Sequence, residues 1–193
     1  MSNKIVCVVG MAGAGKSVVS DELVKSGFAF FRFGQITLDM VKEKNLEVNE
    51  ANERKIREGL RKKYGMGAFA VLNIPKIDEL IKKSNVVGDG LYSWSEYKIL
   101  KEKYGDAMYV VAVYAPPTLR YSRLKNRSVK NDQNQRFRNF TEEEAKARDY
   151  AEIENLEKGG PIVMADFTIV NTGTIDEVKK KTREILSPIL KSS

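Results

Sequence analysis

A glycine-rich segment near the start of the chain ends in a lysine and a serine, which is the pattern of a phosphate-binding loop. Gly10 is followed by four residues and then by Gly15-Lys16-Ser17, which matches G-x-x-x-x-G-K-S/T. Glycines let such a loop turn tightly, so that several backbone N–H groups point into one concavity and bind a nucleotide polyphosphate. The spacing therefore predicts that Lys16 reaches the β- and γ-phosphates and that the Ser17 hydroxyl binds Mg²⁺.

The segments on either side of this loop predict the elements that must position it. Residues 5–9 are apolar throughout, as in a central parallel strand, and residues 17–26 carry apolar side chains at helical spacing. A helix that begins here adds positive potential beside the phosphates. Nucleotide binding without phosphoryl transfer is the alternative to catalysis. The residues predicted to hold the nucleotide phosphates are Gly10, Gly13, Ala14, Gly15, Lys16, Ser17 and Val18.

An acidic residue ends the third apolar run of the chain. Residues 85–89 read Asn-Val-Val-Gly-Asp, which predicts a strand that ends at Asp89. Ligands of open parallel sheets bind outside the carboxyl ends of the strands. We therefore expect Asp89 to lie near the glycine loop and to orient Mg²⁺ or the acceptor. The alternative is that Asp89 caps the helix predicted to begin near Ser93.

Strand and helix patterns alternate along the rest of the chain. About five predicted strands, each followed by a helix, indicate an α/β fold: a three-layer sandwich in which helices cover both faces of a parallel sheet. This is the phosphate-loop (P-loop) NTPase architecture. The further predicted strands comprise residues 28–33, 109–114 and 165–170.

Two long segments interrupt this alternation, and we expect both to rise above the C-terminal edge of the sheet as flaps that exclude water. Residues 35–83 predict three helices, with a kink or break at Pro75. Residues 127–158 predict a polar loop and a helix, which Thr141 and Glu144 cap and Gly159-Gly160-Pro161 ends. The chain is then one domain, 1–193, whose core comprises residues 1–34, 84–126 and 159–193.

The composition limits the chemistry that this site can perform. The chain has no histidine and one cysteine, Cys7, which excludes imidazole catalysis and the usual zinc sites. The net charge of +7 suits an anionic ligand such as a nucleotide and would also suit RNA. Lysine and arginine alternate with glutamate on predicted helix faces, so nucleic acid is not favoured as a partner. No apolar run is long enough for a membrane span, and we expect a cytoplasmic protein.

These motifs together resemble those of the P-loop nucleotide kinases, in particular the adenylate-kinase-related proteins, with dephospho-coenzyme A kinase as a close relative. The resemblance implies transfer of the ATP γ-phosphate, with Mg²⁺, to a small nucleotide-like acceptor by a monomer or homodimer. The matching pieces are the glycine loop, Asp89-Gly90, Arg120-x-x-Arg123-Leu124-x-x-Arg127, Ala165-Asp166 and Asn171-x-Gly173-Thr174.

The resemblance also implies residue roles. Residues 35–83 would bind the acceptor, and residues 127–158 would form a lid. Asn171, Gly173 and Thr174, in the segment from Asn171 to Thr174, would border the adenine. The catalytic set would comprise Lys16, Asp89, Arg123, Arg127 and Arg148, with Ser17 and Asp89 at the metal. The acceptor would contact Gly34, Gln35, Arg61 and Gly90.

Two departures from the family pattern concern the acceptor. Residues 91–94 lack the arginine that adenylate kinases tend to carry after Asp-Gly, and Gln35 stands where related families often place an acid. Both favour an acceptor other than AMP or dephospho-coenzyme A. The alternative function is an ATP-dependent switch or RNA-processing factor. The chain lacks an Asn-Lys-x-Asp guanine motif, which argues against a GTPase.

Overall fold

Five parallel strands form one sheet in the computed structural model, which describes residues 3–126 and 140–191. The strand order is β2-β3-β1-β4-β5, and each neighbouring pair is parallel. The predicted α/β class with about five parallel strands is therefore confirmed. The strands are β1 (Ile5–Val9), β2 (Ala29–Arg32), β3 (Val86–Asp89), β4 (Met108–Tyr114) and β5 (Phe167–Val170).

Helices connect the strands and cover both faces of the sheet. No helix in the described part of the chain has the length and apolar character that crossing a membrane requires. The helices are α1 (Lys16–Lys25), α2 (Gln35–Glu43), α3 (Glu50–Tyr64), α4 (Ala68–Ile81), α5 (Trp94–Tyr104), α6 (Pro117–Lys125), α7 (Glu142–Leu156), α8 (Gly159–Val163) and α9 (Ile175–Lys191).

The two faces of the sheet carry separate apolar cores because side chains alternate along each strand. On β1, Val6 and Val8 face one core, in which Leu23 of α1 and Val178 of α9 are buried. The intervening Cys7 faces the other core, with apolar side chains of α2 to α5. Every residue of β1 is buried. The buried central strand therefore fixes the position at which the glycine loop begins.

The segment 35–83 contains the three predicted helices, but it does not stand wholly above the sheet. Phe69 and Ile77 of α4 are buried in the same core as Cys7 of β1. Helix α4 therefore belongs to the helical layer on that face of the sheet. The break expected at Pro75 is wrong, since α4 continues through it. The N–H that Pro75 lacks would have bonded the carbonyl of Val71, and both residues lie on the exposed side of α4.

The helix predicted to stop at residues 159–161 ends at Leu156, and residues 159–161 begin a further short helix, α8, which the sequence did not predict. Pro161 lies in the first turn of this short helix, where no N–H donor is needed. Gly160 packs against Trp94, with the position of an added Cβ only 2.8 Å from Cε3 of the ring. The capping box predicted for the preceding helix is confirmed, since Thr141 and Glu144 exchange both hydrogen bonds.

A buried ion pair joins α6 to α7 on the two sides of residues 127–139. Arg120 donates from Nη1 to Asp149 Oδ1 at 3.0 Å and from Nη2 to Oδ2, and the Tyr121 hydroxyl donates to the same carboxylate at 3.0 Å. Arg120 also donates to the carbonyls of Ala12 and Ala115. Its guanidinium is therefore neither solvated nor free for phosphoryl oxygens. Arg127 lies outside the described residues.

We expect Asp149→Ala to lower the free energy of unfolding by about 3–5 kcal/mol, since it leaves the buried Arg120 guanidinium without its counter-charge. Urea denaturation measures this loss. The matched control is Glu79→Ala, which removes an exposed partner of Lys83 (side chain about 70% exposed) and should cost at most about 1 kcal/mol. Equal small losses for both variants would contradict this prediction.

Candidate functional site

The glycine loop lies at the carboxyl end of β1 and is closely packed against the next strand. Gly10 has a φ of +147°, and an added Cβ would stand 2.3 Å from the carbonyl oxygen of Val113. Only glycine fits both the conformation and the space. The loop ends at Gly15, and Lys16 and Ser17 open α1. The strand, loop and helix thus follow in the order that phosphate binding requires.

The Lys16 ammonium group folds back over the loop. It donates to the carbonyls of Gly10 at 2.9 Å and Met11 at 3.2 Å. Burial and, after it, the positive charge of Lys158 lower the pKa of Lys16 to about 7, while Asp89 opposes the shift. An anionic phosphate at this position would stabilise the charged form of Lys16. The site is therefore electrostatically suited to bind a polyphosphate.

Asp89 ends β3 beside the first turn of α1. Its Oδ1 accepts a hydrogen bond from the Ser20 hydroxyl at 3.4 Å, and Ser17 lies one turn earlier on the same helix face. Asp89 does not cap α5, because Ser93 does so with Glu96. The oxygen atoms of Ser17 and Asp89 fit Mg²⁺, which uses few protein ligands besides phosphate and water. The described residues contain no group of three or more acidic, Cys or His side chains that could hold a metal alone.

Asn171 connects the end of β5 to the glycine loop and to α6. Its Nδ2 donates to the Ala14 carbonyl at 2.8 Å, and its Oδ1 accepts from Arg123 Nη2 at 3.2 Å. Arg123 Nη1 is buried without a hydrogen-bond partner among the described residues. Thr174 instead exchanges two hydrogen bonds with Glu177, and this exchange caps α9.

A second group of charges lies on α7 and at the start of α8. Arg148 Nε donates to Glu152 Oε1 at 2.9 Å, and the Lys158 ammonium donates to Glu152 Oε2. Burial opposes ionisation of Glu152, but Lys158 and Arg148 outweigh it and lower the pKa of this carboxyl to about 2. The charges of Lys158 and Arg148 both act on Lys16. The charge of the predicted Arg148 therefore reaches Lys16 of the glycine loop, while its role in catalysis stays a prediction.

On the side of α2 and α3, several buried polar atoms have no partner among the described residues. Arg61 stands 5.1 Å from the ring centroid of Phe69, and burial lowers its pKa while Glu96 opposes the shift. Such orphaned groups are costly unless a ligand or water meets them. The orphaned atoms on this side are Arg32 Nη1, Thr37 Oγ1, Arg61 Nε and Glu96 Oε1.

The other residues predicted to contact the acceptor, Gly34, Gln35 and Gly90, make different interactions in the structure. Gly34 caps α2 with its backbone, while Gln35 donates to Asp39 on the exposed side of the same helix at 2.8 Å. Gly90 has a φ of +86°, and its N–H donates to the Val8 carbonyl at 3.1 Å. Gly34 and Gly90 therefore shape the edge of the sheet, whereas the Gln35 side chain is directed along its own helix.

Sequence reasoning missed Glu96, Glu152 and Lys158. Glu96 forms a capping box with Ser93, a spacing that the sequence does show. Glu152 and Lys158 are six residues apart, across the end of α7, and no helical spacing relates them. Their pairing depends on the turn before α8, which the sequence analysis did not predict.

Comparisons with known proteins give the family. The AAA domain family matches residues 6–150. A UPF0200 protein of Thermococcus gammatolerans is 34% identical over 189 residues, covering 97% of this chain and 96% of that protein. The chain belongs to the UPF0200 family. A member from Sulfurisphaera tokodaii is likewise 34% identical, covering 97% of this chain and 98% of its own.

Solved structures with low identity share the fold of this UPF0200 chain. TT1252 from Thermus thermophilus has a TM-score of 0.64 at 18% identity, covering 97% of this chain and 98% of that one. A gluconokinase from Sinorhizobium meliloti has 0.58 at 13%, covering 97% and 93%. A shikimate kinase from Acinetobacter baumannii in complex with shikimate has 0.54 at 20%, with the same coverages. The predicted P-loop kinase fold is thus confirmed.

We expect stability to depend on pH through Glu96. Burial raises the pKa of Glu96 to about 7, although the N–H groups of Tyr92 and Ser93 and the charge of Arg61 oppose the shift. The folded state therefore holds this proton more tightly than the unfolded chain. The stabilisation is complete below pH ~4.5 and is lost as the pH rises through about 7.

Glu96→Gln removes this titration and keeps an oxygen acceptor for the cap. Relative to wild type, the variant should gain up to about 3 kcal/mol in unfolding free energy between pH 5 and pH 8. Urea denaturation at both pH values measures this gain. Ser93→Ala is the control, because it weakens the same capping box without removing a titrating group. A pH-independent difference between Glu96→Gln and wild type would contradict the assignment.

Proposed function

We propose that this chain is an ATP-dependent phosphotransferase, which transfers the γ-phosphate of ATP to a small nucleotide-like acceptor such as a nucleoside monophosphate or a dephospho-coenzyme A-like molecule. The kinase-like fold and the glycine loop support the donor half of this proposal. The acceptor half depends on the residues of the segment 35–83 and on the loop after β3.

The observation that carries the proposal is the continuity of charged groups from the donor loop to the acceptor side. Tyr92, two residues after Gly90, has its ring 4.7 Å from the Lys158 ammonium, and Lys158 shares the Glu152 carboxylate with Arg148. Lys158 acts on both Lys16 and Glu96. A protein that only bound ATP would have no need of orphaned buried polar atoms beyond the phosphate loop, whereas a kinase needs a second pocket there.

In this proposal the chain positions two anions and neutralises their charge, because phosphoryl transfer requires little covalent help from the protein. Lys16 exchanges the loop carbonyls for β- and γ-phosphate oxygens. Arg123 and Arg148 contact oxygens of the transferring group, and Arg61 holds the acceptor. Mg²⁺ bound by the Ser17 hydroxyl, with Asp89 nearby, would supply further neutralisation of the phosphates.

ATP turnover against a panel of nucleoside monophosphates, dephospho-coenzyme A and RNA tests the reaction. One small acceptor should raise ADP formation, and Lys16→Ala should reduce that rate about 100-fold or more, as the loss of one electrostatic donor does elsewhere. Asn171, Gly173 and Thr174 would border the adenine during this turnover. Stimulation by RNA alone, with slow hydrolysis and strong dependence on salt, would instead favour the ATP-dependent switch.

Arg61→Met tests the acceptor pocket separately. We expect the KM for the stimulating acceptor to rise about 10-fold to 100-fold, the effect of losing one charge-assisted hydrogen bond, while the Kd for ATP stays unchanged. Steady-state kinetics and calorimetry measure the two quantities. Arg54→Met is the matched control on the same helix, since Arg54 is exposed and pairs with Glu58. Equal changes in KM for the two variants would show that Arg61 does not bind the acceptor.

A further inference from the structure

Lys158 is a lysine in an unusual place, since its side chain is only 1% exposed. It precedes α8, and its backbone N–H donates to the carbonyl of Glu152 at 3.2 Å. Lysines are almost never fully buried unless they are paired, because an ammonium group loses its hydration there. Neither the family match nor the predicted catalytic set gives Lys158 a task.

The pairing of Lys158 does not use its full bonding capacity. Its ammonium group has three N–H donors, and among the described residues it donates to Glu152 alone. Glu152 also neutralises Arg148, so one carboxylate serves two cations. The face of the Tyr92 ring lies 4.7 Å from the Lys158 ammonium and adds a weaker attraction. The cluster of Arg148, Glu152 and Lys158 is thus net positive and retains donors for an anion.

Lys158 contacts Tyr92, in the loop after β3, and bonds to Glu152 of α7. Tyr92, which it contacts, follows Gly90, and Gly90 hydrogen-bonds to β1 just before the glycine loop. The Lys158 charge is the largest influence after burial on the pKa of Lys16. It also acts on Glu96, beside Arg61. Lys158 is therefore close enough to both halves of the site to act on Lys16 and on Glu96, and in the proposed function it would also attract the transferred group.

We propose that Lys158 is a phosphate-binding residue, whose ammonium donates to an oxygen of the phosphoryl group that passes from donor to acceptor. This inference rests on the proposed function. The bond from the γ-phosphorus to the bridging oxygen breaks, ADP leaves with its electron pair, and an acceptor oxygen forms the new bond. A hydroxyl acceptor releases its proton to solvent, and a phosphate acceptor releases none.

The experiment compares nucleotides with and without the γ-phosphate on Lys158→Met. Calorimetry with Mg²⁺ and either ADP or a non-hydrolysable ATP analogue measures both affinities. We expect about 10-fold to 100-fold weaker binding of the analogue and less than about 3-fold change for ADP. Lys101→Met is the matched control, because in the described part of the chain its ammonium makes one hydrogen bond, to the Met108 carbonyl at 3.0 Å, at the amino-terminal end of β4.

A second variant separates binding from folding. Lys158→Met leaves Glu152 with Arg148 alone, so the double variant Glu152→Gln/Lys158→Met removes both charges at similar volume. It should fold and show the same selective loss for the analogue. Equal losses for ADP and analogue, no loss at all, or failure of both variants to fold would assign Lys158 a structural role and overturn the proposal. If Lys16→Ala changes neither affinity, the proposed function itself fails.

Discussion

The side-chain amide of Asn171 holds three parts of the site in one arrangement. The amide nitrogen donates to the glycine loop at Ala14, and the amide oxygen accepts from Arg123 on α6. Asn171 directly follows β5, and its backbone N–H donates to the Tyr114 carbonyl of β4 at 2.7 Å. An added Cβ at Gly15 would stand 2.2 Å from the Asn171 amide nitrogen. The last glycine of the motif is therefore required by the end of the sheet as well as by the phosphates.

Charge neutralisation explains why acids as well as bases line this site. Lys16, Arg148 and Lys158 would repel one another in a buried space without counter-charges. Glu152 bonds two of these cations, and Asp89 opposes the lowered pKa of Lys16. A bound polyphosphate would supply the remaining negative charge. The mutual repulsion of these cations destabilises the folded state locally, and the same repulsion favours binding of an anion. Functional sites often contain local destabilisation of this kind.

The sequence predicted the parts of the structure that depend on short segments. The glycine loop, the five strands and the capping box at Thr141 each need only a few neighbouring residues, so their patterns are visible in the chain. Whether α4 could continue through Pro75 depended on which side of the helix faces solvent. The short helix α8 depended on the packing of Gly160 against Trp94. The pairing of Glu152 with Lys158 and the burial of Glu96 depend on the assembled fold, so no local pattern reveals them.

In the proposed function, the acceptor would be selected by the segment in which this chain departs from a simple strand–helix–strand unit. The core strands and the glycine loop can serve many phosphotransferases, since kinases for chemically different acceptors share the fold. In this chain α3 brings Arg61 beside Glu96, and Arg32 stands at the end of β2, each with a buried N–H that lacks a partner among the described residues. Guanidinium groups recognise phosphate and carboxylate oxygens through paired donors. In the proposed function, an anionic acceptor would suit these two guanidinium groups better than a neutral polyol, which would bring no counter-charge.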